Sequence, residues 1–256
     1  MKKLFSLLLI FLVLVSCIST SAFAQESATV YVSVADKGKL VASQEKVTVT
    51  DIDNDGALTV NDALYAVHKS VYPGGASAGY GYYTHKDYGL SLGKLWGDSS
   101  GNFGYYLNNK SCWGLADKVK SGDYLNAFVY SDGKYYSDKY CFFGTQTVSV
   151  NATSNIELTL SGAGYDANWN PVTLPVAGAE ITVDGAPTGI KTDSNGKATI
   201  QISSQGTHII SAVSSSEILV PPVCKAEVNG GFFASILSAI TSFLNVILNF
   251  FRSLVK

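Results

Sequence analysis

The chain is poor in groups suited to acid–base catalysis. Its 256 residues hold three histidines, His68, His85 and His208, and none stands in a zinc-protease spacing. No Gly-x-Ser-x-Gly elbow and no cysteine–histidine nucleophile signature occurs. Many of the carboxylates lie in Asp-Gly and serine-rich turns, and no pair is singled out for glycosidic chemistry. The expectation is a protein that is not an enzyme. Positive charge is scarce too, with 18 Lys and Arg against 20 Asp and Glu. Nucleic acid is excluded as a partner, because phosphates require a concentrated basic face. Methionine occurs once, whereas 24 glycines and 15 tyrosines favour strands and tight turns.

What is present begins with an export leader. Lys2 and Lys3 precede an apolar run from Leu4 to Val15, and Ala22-Phe23-Ala24 supplies small residues for cleavage after Ala24. The run is roughly 12 residues, shorter than the about 20 of a membrane span. Residues 1–24 therefore read as a signal peptide. Leu14-Val15-Ser16-Cys17 also resembles a bacterial lipobox, which would place a lipid on Cys17. Without the leader, 16 basic residues face 20 acidic ones. Cys112, Cys141 and Cys224 remain. Export permits a disulfide, with Cys112–Cys141 the best pair and Cys224 left over; three buried thiols is the other reading.

Alternating residues predict strands at Thr29–Val34 and within Leu40–Thr50, joined around Asp36-Lys37-Gly38-Lys39. A polar loop follows at 51–62, then a short helix over Ala63–Lys69 that ends at Tyr72-Pro73-Gly74-Gly75. Further strands are expected at Phe103–Leu107, Tyr124–Ser131 and Tyr135–Phe143, the last two forming a hairpin around Asp132-Gly133. From residue 147 short strands recur: Val148–Val150, Ile156–Leu160, Glu180–Val183, Ala198–Ile202 and His208–Val213. Such spacing indicates a small β-sandwich. The fold class expected is mainly β with a small α insertion. Two modules are drawn, 25–146 and 147–228, followed by a linker and helix over 229–256.

The sharpest motif runs from Asp51 to Asp62. Asp51, Asp53 and Asp55 occupy loop positions 1, 3 and 5, and Gly56 permits the sharp turn at position 6. Ala57 can ligate through its carbonyl, Thr59 through a water, and Asp62 closes position 12. Crowded carboxylates repel one another unless a cation relieves them, and hard oxygen donors suit Ca2+ rather than zinc. The loop is EF-hand-like and resembles the calcium loop of dockerins, which also end in Asp and enter a helix. Dockerins carry two such repeats, and this chain has one.

Leu95-Trp96-Gly97, Gly101-Asn-Phe-Gly-Tyr-Tyr-Leu-Asn-Asn109 and Ala116-Asp-Lys-Val-Lys-Ser-Gly-Asp-Tyr-Leu125 resemble the transcobalamin C-terminal domain of bacterial surface proteins. The resemblance covers roughly residues 28–145 and implies a β-grasp-like sheet. In the vitamin carriers that domain closes over cobalamin with a helical barrel, which this chain does not have. Aromatics and amides nearby, namely Trp96, Tyr105, Tyr106, Asn108 and Trp113, offer a platform for a small molecule, glycan or protein. Val176–Val183, Gly189–Ala198 and Gly206–Ala212 resemble bacterial immunoglobulin-like modules, which act as spacers. Asp166-Ala-Asn-Trp-Asn170 faintly echoes a calcium loop, but Pro171 stands where glycine is needed.

The segment Phe232–Lys256 carries no charge before Arg252. Its nine polar residues project within a sector of about 120°, so it reads as an amphipathic helix about 37 Å long. It would lie on a membrane, associate with its own copies, or span a bilayer. Together these features predict an extracellular, cell-surface or membrane-associated binding and attachment protein with a calcium-stabilised domain. Corrinoid capture and a structural adhesin acting through the terminal helix are the alternatives.

Overall fold

The computed structural model describes residues 27–230, 240–241 and 243–247. The expected leader and most of the expected terminal helix lie outside the described residues. Strands β1 (Ser27–Asp36) and β2 (Lys39–Thr50) form the predicted hairpin. Lys37 and Gly38 at its tip both take positive φ, which matches the right-handed twist of the flanking strands. Helix α1 (Val60–Val71) begins three residues before the expected start, because Thr59 and Asp62 form a capping box. Val60, Ala63, Leu64 and Val67 recur at helical spacing and are fully buried.

A short helix α2 (Ala76–Gly79) leads into a two-stranded hairpin, β3 (Gly81–His85) and β4 (Gly89–Lys94). Then come β5 (Phe103–Leu107), β6 (Lys110–Ser111) and β7 (Tyr124–Val129). The first sheet has the order β2-β1-β7-β5-β6, with β1 and β7 parallel at its centre. Helix α1 covers one face and shares a core with Val30, Val32, Val34, Leu125 and Val129. A hairpin, a crossing helix and a returning central parallel strand constitute a β-grasp arrangement.

The remaining strands build a sandwich. One sheet contains β8 (Lys139–Phe143), β10 (Asn155–Tyr165), β11 (Pro171–Pro175) and β16 (Leu219–Val220), with β14 (Lys197–Gln201) also paired to β10. The other runs β13 (Ala186–Lys191), β12 (Glu180–Val183), β15 (Gly206–Val213), β17 (Cys224–Asn229) and β9 (Thr147–Asn151). Inward residues of both, including Phe143, Ile156, Leu160, Ile181 and Ile210, fill one core, as two packed sheets demand.

The expected hairpin of Tyr124–Ser131 with Tyr135–Phe143 does not form. Strand β7 pairs with β1 and β5, whereas β8 pairs with β10 and β16. Between them the chain crosses over in a loop folded by two carboxylates. Asp138 accepts the Ser131 and Asp132 amides, and Asp132 accepts those of Lys134 and Tyr135. Cys141 and Phe143 then bury in the sandwich core, so its strands start at Lys139, ahead of the boundary drawn at residue 147.

The two modules pack face to face. Ala35 and Phe128 on the helix-free face of the first sheet meet Tyr140 and Val220 of the second module. The Tyr106 and Tyr140 rings stack with centroids 3.7 Å apart. A β-bulge opposite Ser33 turns Gln44 into the junction at φ 48°. Its buried side-chain amide donates to the Gln146 carbonyl at 2.9 Å and lies 3.3 Å from the Val223 carbonyl. No pattern of local sequence announces a glutamine at such a bulge.

Candidate functional site

The acidic loop enters α1 directly, so the helix cap fixes its end. Asp51, Asp53 and Asp55 bring one oxygen each within 4.8 Å of one another. Asn54 and Gly56 take positive φ, which folds the chain tightly around these three carboxylates. Asp51 accepts the Asp55 amide at 3.2 Å and the Gly56 amide at 2.9 Å. The Gly56 amide is the main reason that its carboxyl sits below its ordinary pKa. Asp53 moves the other way. Burial raises its pKa, and the charges of Asp55 and Asp62 add to the effect. One Asp53 oxygen, Oδ2, accepts from Asn61; the other, Oδ1, is buried and has no partner among the described residues.

A buried, unpaired carboxylate oxygen beside two further carboxylates is the donor chemistry of a hard cation, and these residues fit calcium. Asp51, Asp53 and Asp55 would hold it. Thr59 and Asp62 are occupied differently. The Asp62 carboxylate accepts from the Ile52 amide at 2.9 Å, the Thr59 amide at 2.8 Å and the Thr59 hydroxyl at 2.7 Å. Position 12 therefore works as a helix cap in this structure, not as part of the three-carboxylate group.

The aromatic platform read from the sequence is dispersed. Along β5 side chains alternate, so Tyr105 packs toward α1 while Tyr106 points to the second module. Trp96 packs on His68 and Tyr72, 5.2 and 5.0 Å between centroids. Asn108 is a structural turn residue that donates to Asp123 and accepts from the Tyr124 amide. Trp113 is fully exposed. These five residues do not form one surface.

Histidines and cysteines also settle into structural places. His68 is completely buried. Its Nδ1 lies 2.7 Å from the Leu64 carbonyl and its Nε2 accepts the Trp96 amide at 3.0 Å, so the ring is neutral with Nδ1 protonated. Burial pushes its pKa down to about 4. Asn61 carries a link from the acidic loop to the same region, accepting the buried Tyr80 hydroxyl at 2.6 Å. The three thiols are free: Cys112 packs against the first core, while Cys141 and Cys224 belong to the second. The proposed Cys112–Cys141 disulfide is absent, since the two residues serve different modules. Burial raises the Cys141 thiol to about 12 and the Cys224 thiol to about 11, so both are inert.

Ser204, His208 and Asp184 approach one another in a manner reminiscent of a nucleophilic triad. His208 Nδ1 lies 2.6 Å from Asp184 Oδ2, and Nε2 lies 3.0 Å from the Ser204 carbonyl and 3.3 Å from its hydroxyl. Both ring nitrogens face acceptors, which only an imidazolium satisfies. Nε2 then has no lone pair for the serine proton, and the arrangement is a clasp between β15 and two turns.

No family model matches the chain, and no curated protein matches it either. Among solved structures it is similar to the N-terminal four Ig domains of Dscam1 isoform 4.44. The identity is 9%, the TM-score 0.24, and the match covers 82% of this chain and 45% of that one.

Proposed function

We propose that this chain is an exported, non-catalytic binding protein of the cell exterior whose first module is stiffened by calcium. The observation that carries the reading is the orphaned, buried Oδ1 of Asp53 within the Asp51–Asp53–Asp55 cluster. With position 12 committed to the helix cap, the loop offers few ligands. A weak site of that kind suits extracellular calcium modules, whose dissociation constants run to about 10⁻⁴–10⁻³ M. The N-terminal leader supplies the matching compartment.

Attachment is assigned to the C-terminal segment. Its described part, Ile240–Thr241 and Phe243–Ile247, is helical, and Ile240, Phe243, Leu244 and Val246 are exposed. An apolar helical face open to solvent favours a membrane surface or another copy as its cover. Among the described residues no helix is long and apolar enough to cross a membrane.

The test is protease shaving and fractionation of a bacterial host that expresses the whole chain or a chain lacking residues 230–256. The reading expects the whole chain at the exterior, retained on cells, and the truncated chain released to the medium. Retention in the cytoplasm would overturn it. Calorimetric titration of the whole chain with calcium, and with Asp53→Asn, tests the ion separately.

A further inference from the structure

The junction between the modules carries aromatics in an arrangement that folding alone does not account for. Tyr106 and Tyr130 are half-buried on the first module, and Tyr130 borders Tyr136 on the crossover loop. Tyr130 and Tyr136 meet edge to face at 5.2 Å. From the second module Tyr165 lies on the same face of β10 as Ala163, which packs against the junction core together with Tyr106 and Tyr130. Trp169 continues the row, 6.2 Å from Tyr165. The row is open to solvent at its outer end: Tyr136 is 52% exposed, Tyr165 62% and Trp169 81%.

Two of these residues are held at a conformational cost. Trp169 takes φ 62° and Tyr136 φ 53°. Bulky side chains rarely adopt the left-handed region. Trp169 occupies the position of the β10–β11 hairpin loop that glycine normally fills, after a turn closed by its own amide on the Asp166 carbonyl at 3.0 Å. Burial does not repay the strain, because the indole faces water. Strain at a bulky side chain without a packing gain points to a functional surface.

The chemistry of the surface narrows its ligand. The neighbouring carboxylates are consumed: Asp132 and Asp138 by the crossover loop, Asp166 by the Asn168 and Asn170 amides. Lys134 lies over the Tyr135 ring. What remains is flat aromatic faces, phenol hydroxyls and the Asn102 side-chain amide, whose oxygen accepts from Tyr136 and whose nitrogen makes no hydrogen bond among the described residues. Such a surface matches a ligand that is uncharged, apolar on its faces and rich in hydroxyls at its edges.

We infer that the module junction, through Trp169, Tyr165, Tyr136, Tyr130, Tyr106 and Asn102, binds a neutral saccharide by stacking sugar rings on the aromatic row. The inference rests on the proposed binding role and gives it a site and a ligand class. Because the row draws on both modules, the Gln44 and Tyr106–Tyr140 contacts that lock them also set the spacing of its stacking faces.

The test uses the whole chain with cellohexaose, mannohexaose and maltohexaose, and with the corresponding polymers in affinity gels. At least one should bind. Trp169→Gly should weaken it tenfold or more while raising Tm by about 2 °C, because glycine relieves the left-handed backbone. Tyr136→Asn should also weaken binding, and Tyr88→Ala, an exposed tyrosine on the separate β3–β4 hairpin, should change nothing. Failure to bind any of the three sugars overturns the inference, as does binding that survives Trp169→Gly. A lower Tm for Trp169→Gly would make the indole structural and have the same consequence. Binding of a proline-rich peptide in place of sugar would replace the ligand class. Any of these results with the chain still at the cell exterior defeats the saccharide site alone; loss of exterior location defeats the wider reading.

Discussion

Two loops of this chain gather acidic and amide side chains around a tight turn, and they resolve their charge in opposite ways. In the loop at 166–170 Asp166 is fully used: Oδ1 accepts the Asn168 and Asn170 amides, each at 2.8 Å, and Oδ2 accepts the Asn170 side chain at 3.0 Å. Its pKa falls, first through the Asn170 side chain and then through that residue's amide. In the loop at 51–62 three carboxylates converge, yet Asp53 Oδ1 receives nothing and its pKa rises through burial. The loop at 51–62 holds four aspartates and the loop at 166–170 one. They differ as well in whether the acceptors are met, and the proposed calcium would meet those of the loop at 51–62.

The largest expected effect tests that difference directly. Calcium at a hundredfold excess over its dissociation constant should stabilise the chain by about 2.7 kcal/mol, read as a rise in Tm that chelator reverses. Asp53→Asn should abolish the rise and make the metal-free chain more stable, since it removes one of the mutually repelling charges. Equal Tm with calcium and chelator would erase the distinction between the loops.

Asp62 sharpens the boundary of the site. Asp62→Ala removes the acceptor of two backbone amides and a hydroxyl at the start of α1, which should cost about 2 kcal/mol. If Asp62 is a cap and not a ligand, the calcium-induced rise in Tm persists on this lowered baseline. A rise that vanishes with Asp62→Ala would restore the carboxylate to position 12. Asp166→Ala should lower Tm slightly by releasing the hairpin loop, with the same loss in calcium and in chelator. A calcium-dependent loss there would show that the second loop also holds an ion.

These contrasts explain how much was readable in advance. The turn at Lys37-Gly38, the strands Phe103–Leu107 and Glu180–Val183, and the folding of the acidic loop depend on near neighbours in sequence. Their signals therefore stand in short windows. The partner of β8 does not. Lys139–Phe143 is apolar after its first residue and would suit a strand of either module, and its choice follows from where Cys141 and Phe143 bury. The same holds for Gln44, which becomes a junction residue only because a bulge turns it toward Gln146. The platform of Trp96, Tyr105, Tyr106, Asn108 and Trp113 failed for a local reason that was available: adjacent residues of a strand face opposite ways. The row at the junction was out of reach, although Trp169 in a hairpin loop without glycine was its visible trace.

The smallest effect sets the modules against each other in pH. In the first module His68 is buried and neutral, with its pKa lowered from 6.5 to about 4. The unfolded chain binds that proton first, so stability falls as pH drops below 6.5, by less than about 1 kcal/mol down to pH 6. In the second module the hydrogen bond to Asp184 raises the pKa of His208; burial opposes this, and the Ser204 carbonyl and the charges of Asp184 and Glu227 assist. Asp184 answers in kind: burial works upward on it, but the Ile209 amide and His208 hold it below its ordinary value. A raised histidine stabilises below pH 6.5, and the contribution is lost as pH climbs through the raised value. The first module should thus soften in mild acid and the second in mild base. Hydrogen exchange of Val67 and Ile210 amides, followed from pH 6 to 8 and corrected for intrinsic rates, separates the two slopes. His208→Gln should flatten the slope of the second module and leave that of the first unchanged. Parallel slopes in both modules would mean that His208 is not held as an imidazolium, and the clasp would have to be redrawn as a neutral hydrogen bond.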